Sequence, residues 1–137
     1  MGPEQKKIPI ALAYALLSDG GRILFLKQKD RFGVERIGLP SVWIEKDQDP
    51  VKRLTEAFLK QTGIDGQVHE AKSQSTHNIG SRKKKKFIPV LCFTVTAKSA
   101  QAKPSPEFSG YAWLSIDDAK KRKVSRTCEW LYKLGGT

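Results

Sequence analysis

At 137 residues the chain is long enough for one domain with a proper core, and residues 1–137 read as a single unit. A hydrophobic content of 39% with six Phe and three Trp excludes a disordered chain, and no apolar run is long enough to span a membrane. Lys and Arg total 25 against 14 Asp and Glu, a formal charge of +11, so polyanions are the expected partners.

The N-terminal stretch MGPEQKKIPIALAYALL places two lysines before an apolar run, as a signal peptide does. It continues into Ser18-Asp19-Gly20-Gly21 and a second apolar run, which reads instead as a β-hairpin, Ile8 to Leu17 and Gly21 to Gln28, in a cytoplasmic protein. Asp30 to Glu35 is a polar loop. Ile37 to Leu39 and Val42 to Ile44 are short strands around a Leu39-Pro40 turn. Asp49 is an N-cap, Pro50 suits a first helical turn, and the helix runs to a Thr62-Gly63 stop. Val51, Leu54, Phe58 and Leu59 recur at helical spacing and are predicted to face a sheet, with Lys52, Thr55, Glu56 and Lys60 toward solvent or a cleft.

Gly66 to Gln74 is a modest strand, and Ser75 to Lys86, with His77 and a basic run, a loop or hairpin tip. Phe87 to Ala97 is the clearest strand, rich in β-branched and aromatic residues. A connector with two prolines, Lys98 to Pro106, leads to a short strand, Tyr111 to Leu114. Ser115 then caps a helix starting near Ile116, and Val124 to Leu134 reads as a final helix with Trp130, Leu131 and Leu134 for the core. Cys92 and Cys128 lie in apolar elements without a spacing motif, so they are expected to be buried reduced thiols.

The segment GLPSVWIEKDQDPVKRLTEAFLKQTGI, Gly38 to Ile64, resembles the Nudix box without a gap. In that family two glycines follow Leu-Pro, a Gly-Glu pair precedes the helix, and Arg-Glu and Glu-Glu pairs lie along it. Here Ser41 and Val42 take the glycine positions, Asp47-Gln48 the Gly-Glu pair, Glu56-Ala57 the Arg-Glu pair, and Lys60-Gln61 the Glu-Glu pair. The order of hairpin, box, long strand and GYAWLSIDDAKK extends the resemblance over nearly the whole chain. It implies an α/β fold, a Nudix-type α/β/α sandwich around a mixed β-sheet.

The resemblance also implies a magnesium site that clamps a diphosphate and helps generate hydroxide. Positions 57, 60 and 61 share one helix face, so carboxylates there would form one cage. Ala57, Lys60 and Gln61 do not. Like unit charges at ~4 Å in an effective dielectric of ~20 repel by about 4 kcal/mol, and a divalent ion beside Lys60 would meet roughly double that. The expectation is therefore a catalytically inactive Nudix-fold protein, with no catalytic residue, metal or cofactor, that binds RNA or a nucleotide-containing ligand through a basic surface. Two basic blocks are the candidate nucleic-acid contacts: Arg82, Lys83, Lys84, Lys85 and Lys86, then Lys120, Lys121, Arg122 and Lys123 with Arg126. Trp43 and Phe32 are candidate base-stacking platforms, and Trp43 sits where it would cover a vacated cleft.

One alternative is a divergent hydrolase of nucleoside diphosphate derivatives, using magnesium or manganese at a relocated site built from Glu45, Glu56 and Glu107. Another is a protein-interaction module within a nucleoprotein assembly. Glu56 is spaced to pair with Lys52 or Lys60 for ~0.3 kcal/mol. Oligomeric state leaves no mark on the sequence.

Overall fold

Alternation along the opening hairpin builds two layers of core at once. In the computed structural model, which describes residues 8–133 except for the side chains of residues 72–74, 126 and 133, β1 (Pro9–Asp19) turns into β2 (Arg22–Lys29). The turn residues Gly20 and Gly21 have φ of 60° and 81°, the left-handed values a tight hairpin turn needs. β1 pairs with β2 only beside that turn, at Ser18–Ile23 and Asp19–Arg22, and the strands then splay apart.

Beyond the splay, β1 runs antiparallel to β4 (Ser41–Glu45) and parallel to β6 (Phe87–Ala97), which carries β5 (Gly66–Asn78) on its far side. β2 instead pairs antiparallel with β3 (Glu35–Gly38) and β7 (Gly110–Leu114). The described residues thus form a seven-stranded mixed sheet with two wings.

Successive residues of β1 point to opposite faces. Leu12 and Tyr14 join Val90 and Cys92 under α2 (Ile116–Lys120) and a final 3-10 helix (Arg126–Lys133). Ala11, Ala13 and Ala15 join Phe93 and Val95 under α1 (Pro50–Thr62), where their small side chains leave room for Leu54 and Phe58. Helices therefore cover both faces of the sheet, the α/β/α arrangement anticipated.

The helix α1 starts as expected, with the Asp49 carboxylate accepting from the Val51 N–H at 3.0 Å. It ends at Gly63, whose φ of 73° lets its N–H reach the Leu59 carbonyl at 2.8 Å. Its buried stripe differs from the expected one. Leu54, Phe58 and Thr62 are buried, whereas Val51 and Leu59 are 41% and 48% exposed. The helix rests on the alanine stripe along one i, i+4, i+8 row, so residues flanking that row stay in solvent. Buried Thr62 is satisfied locally, its Oγ1 donating to the Phe58 carbonyl at 2.6 Å and accepting from the Ile64 N–H at 3.1 Å.

Two other expectations are corrected. β5 continues to Asn78, so Ser75 to Asn78 are strand, and the hairpin tip is confined to Ile79 to Lys86. Their pairing with Phe87 to Val90 satisfies the backbone whatever the polar side chains prefer. The final helix starts at Arg126 rather than Val124 and is a 3-10 helix, Arg126–Lys133. Val124 is held instead in a parallel bridge to Ile37, and Cys128 and Leu131, spaced by one 3-10 turn, face the core together. Trp130 is buried as expected, and Leu134 lies outside the described residues.

Both cysteines are free and buried, and burial pushes their thiols up to about 12. Burial likewise raises the Tyr14 hydroxyl, which donates to the Thr127 carbonyl.

Candidate functional site

The box residues hold the loop and helix of the motif in place through contacts of their own. Asp47 keeps a φ of 69°, a glycine-like conformation at the position where the family has glycine and one that Asp tolerates better than most residues. Gln48 closes the loop by accepting from the Glu45 N–H through Oε1 at 2.9 Å, while its own N–H donates to the Glu45 carbonyl at 3.2 Å. At the last box position, Gln61 bonds both backbone groups of Ser41. Its Nε2 donates to the Ser41 carbonyl at 2.8 Å and its Oε1 accepts from the Ser41 N–H at 3.2 Å. A carboxylate could accept from that N–H but could not donate to the carbonyl. Ala57 is half-buried and Lys60 is exposed.

These side chains do not fit a magnesium ion. Gln61 already has both amide groups bound, Lys60 carries the wrong sign, and no group of three or more His, Cys, Asp or Glu stands close enough for a metal among the described residues.

Beside the box an open cleft of about 710 Å³ lies between the two wings of the sheet. Gln61 and Ser41 form part of its floor, and β2 and β3 supply Gln28, Lys29 and Arg36. The β2–β3 loop adds Arg31 and Phe32 at its mouth. That loop is shaped by Asp30, whose Oδ1 accepts from the N–H groups of Phe32 at 2.9 Å and Val34 at 3.0 Å. Its Oδ2 holds the Arg36 Nε at 2.9 Å, and the Arg36 guanidinium goes on to the Val124 carbonyl at 3.1 Å. The hydrogen bond from Arg36, followed by the one from the Val34 N–H, keeps the Asp30 carboxyl below its ordinary pKa of 3.8. Phe32 is thereby presented 76% exposed, with the Arg31 guanidinium 4.9 Å from its ring centre.

The rest of the lining comes from segments distant in sequence. The β6–β7 connector lies on the end of α1, where Lys103 and Ser105 donate to the Thr62 and Gln61 carbonyls at 2.7 and 3.1 Å. It delivers Glu107 and Phe108 to the cleft, and the 3-10 helix adds Thr127 and Glu129. With Asp30 and Arg36 paired, Lys29 and Arg31 stand against Glu107 and Glu129, so the lining is balanced in charge.

The residues singled out from sequence fall in several places. Phe32 and Glu107 line the cleft. Glu45, at the end of β4, and Glu56, exposed on α1, are not part of its lining, and Glu56 pairs with neither Lys52 nor Lys60. Trp43 does not cover the cleft; it is 40% exposed further along β4, tilted against His77. Arg82, Lys83, Lys84, Lys85 and Lys86 are exposed in the turn between β5 and β6. Lys120 ends α2, Lys121 lies 3.9 Å from Asp118, and Arg122 and Lys123 are exposed beside β3, where the Lys123 carbonyl accepts from the Ile37 N–H at 2.9 Å. The Arg126 side chain lies outside the described residues. The two blocks thus sit at opposite ends of the strand order. Sequence reasoning passed over Lys29, Arg31, Arg36 and Glu129, and the one local sign of them was the charge density of the Asp30 to Arg36 stretch.

No family model and no curated protein matches this sequence. Solved structures do. The chain is similar to the solution structure of the E. coli ORF135 protein, with a TM-score of 0.67 and 15% identity over 96% of this chain and 91% of that one. It is similar to the MutT protein from Methanosarcina mazei Go1, with a TM-score of 0.64 and 19% identity over 95% of each chain. It also resembles an ADP-ribose pyrophosphatase from Streptococcus suis, with a TM-score of 0.66 and 14% identity over 93% of this chain and 87% of that one. The class is therefore settled: this is a Nudix-fold protein. Identities this low speak for the fold alone, so the chemistry has to be argued from the site itself.

Proposed function

We propose that the chain is a catalytically silent Nudix-fold module that binds RNA, taking one nucleotide unit in the cleft and the phosphates on the flanking basic blocks. The observation that carries this reading is the double hydrogen bond from Gln61 to Ser41. It turns the position of a metal-binding carboxylate into a neutral clamp of the cleft floor. The balanced lining favours the base and sugar over a di- or triphosphate, with Phe32 offering a face for stacking. The surplus positive charge lies outside, on Arg82 to Lys86 and Lys120 to Lys123, where a phosphate backbone meets it.

The test is fluorescence anisotropy with a labelled single-stranded RNA over a salt series, with EDTA and then with magnesium. Binding should weaken with a log–log slope of about −0.7 per phosphate contacted, and it should be the same with and without the metal. Absence of binding at low salt, or a flat salt dependence, sinks the reading.

Glu107 and Glu129 in the cleft lining favour one second reading, a hydrolase whose carboxylates come from outside the box. It requires magnesium- or manganese-dependent phosphate release from a nucleotide panel, lost in Glu107→Gln.

A further inference from the structure

Ser41 of the cleft floor and Trp43 are two residues apart on β4. Their side chains share a face, and Trp43 stands about 6.8 Å further along the strand. Trp43 is paired with Leu12 and His77 with Ile88, and both partners belong to the core layer under α2 and the 3-10 helix. Trp43 and His77 therefore lie on the same face, and their ring centres are 6.0 Å apart with the planes tilted by 47°. Ile10, in the β1 bulge between the Pro9 and Ala11 pairs, is 49% exposed nearby.

One residue beyond His77, β5 ends at Asn78 and the basic turn begins. This turn is tightly hydrogen-bonded. The Asn78 Oδ1 accepts from the Gly80 and Lys86 N–H groups, both at 2.9 Å, and the Ser81 Oγ accepts from the Lys84 N–H at 2.9 Å. The Ile79 N–H donates to the Lys86 carbonyl at 2.8 Å. Gly80 is required there, because a Cβ would lie 2.1 Å from the Lys84 carbonyl oxygen. Arg82 to Lys86 are all exposed, and neither ion pair among the described residues involves them. A run of five cations on a fixed frame thus adjoins half-buried His77 and exposed Trp43, and Trp43 lies two residues along β4 from Ser41 of the cleft floor.

We propose that this is the path of a single-stranded RNA, leaving the cleft along β4, stacking a base on Trp43 and His77, and laying the next phosphates on Arg82 to Lys86. The proposal rests on the reading of the cleft as a nucleotide site. Charge complementarity selects a polyanion, and the exposed Trp43 ring, backed by His77, selects one with unpaired bases, since a duplex keeps its base faces stacked internally.

The experiment compares three probes by anisotropy or calorimetry: uridine monophosphate, an oligouridylate of about eight nucleotides, within the range of single-strand site sizes, and an RNA duplex. The single strand should bind more tightly than the mononucleotide and the duplex. Trp43→Ala should weaken the single strand by about tenfold, within the range for one base stacked on an aromatic ring. Trp43→Phe should restore it, and the mononucleotide should not respond to either change. Replacing Lys83, Lys84 and Lys85 together by Ala should flatten the salt slope by about 2, three contacts at about 0.7 each. Single-strand binding that Trp43→Ala leaves intact, or a duplex that binds as tightly, overturns this path while leaving RNA binding in place. Failure of the wild-type chain to bind either the mononucleotide or the single strand at low salt overturns the cleft reading beneath it.

Discussion

The core side of α1 and its outward side, only a hundred degrees or so apart around one helix, are held by different contacts. On the core side Leu54, Phe58 and Thr62 are buried against the alanines of β1, and the Gly63 cap holds the chain for Ile64. On the other side Ala57, Lys60 and Gln61 stand at the box positions where the family pattern has carboxylates, and of the three only Gln61 reaches the cleft, bonded to the backbone of Ser41. The difference teaches that the fold fixes the residues it buries, while residues left in solvent make few contacts on which the fold depends.

The largest effect that tests this contrast is Phe58→Ala. Removing a fully buried ring should cost about 3–5 kcal/mol in urea unfolding, and a loss below about 1 kcal/mol would mean that the core side does not anchor the helix. Next comes Gln61→Leu, which keeps the bulk but leaves the Ser41 N–H and carbonyl unpaired. The same unfolding measurement should show a loss of about 1–3 kcal/mol; no loss would mean that solvent replaces the clamp.

A smaller effect belongs to the far wall of the cleft. The Asp30 carboxyl is held below 3.8 by the hydrogen bond from Arg36, so the stability it contributes is complete above that ordinary value. That contribution is lost as pH falls through the lower folded value. Asp30→Asn should therefore lower stability at neutral pH and flatten the acid limb of a stability–pH curve, with little difference from wild type once the carboxyl is protonated. An unchanged acid limb would assign the loop's shape to something other than this residue. The smallest effect is Lys60→Ala, expected within about 0.5 kcal/mol because the side chain is exposed and makes no ion pair. A larger change would show that the outward side of the helix is constrained after all.

Much of the fold was legible in the residues. Asp49, Pro50 and Gly63 mark the ends of α1 through local chemistry, and Ser18 to Gly21 mark the hairpin in the same way. The site was only half legible. Phe32 and Glu107 were within reach of sequence reasoning, yet their meeting in one cleft depends on Asp30 shaping one loop and on Lys103 and Ser105 seating another on the end of α1. Val51 and Leu59 were misplaced because helical periodicity tells how wide an apolar stripe is, but not how narrow a seat the sheet offers it.

What the sequence determined by itself were the features carried by short-range chemistry: the caps, the turn glycines, the apolar strands β1 and β6, and the absence of carboxylates at the box positions 57, 60 and 61. Tertiary structure alone decided which distant residues share a surface. It set Gln61 on Ser41, brought Trp43 against His77 across the sheet, and put Glu129 and Phe32 in the lining of one cleft. The reason is physical: such contacts depend on strand register and on the splay between β1 and β2, both of which are fixed by packing over the whole sheet and leave no local trace in the chain.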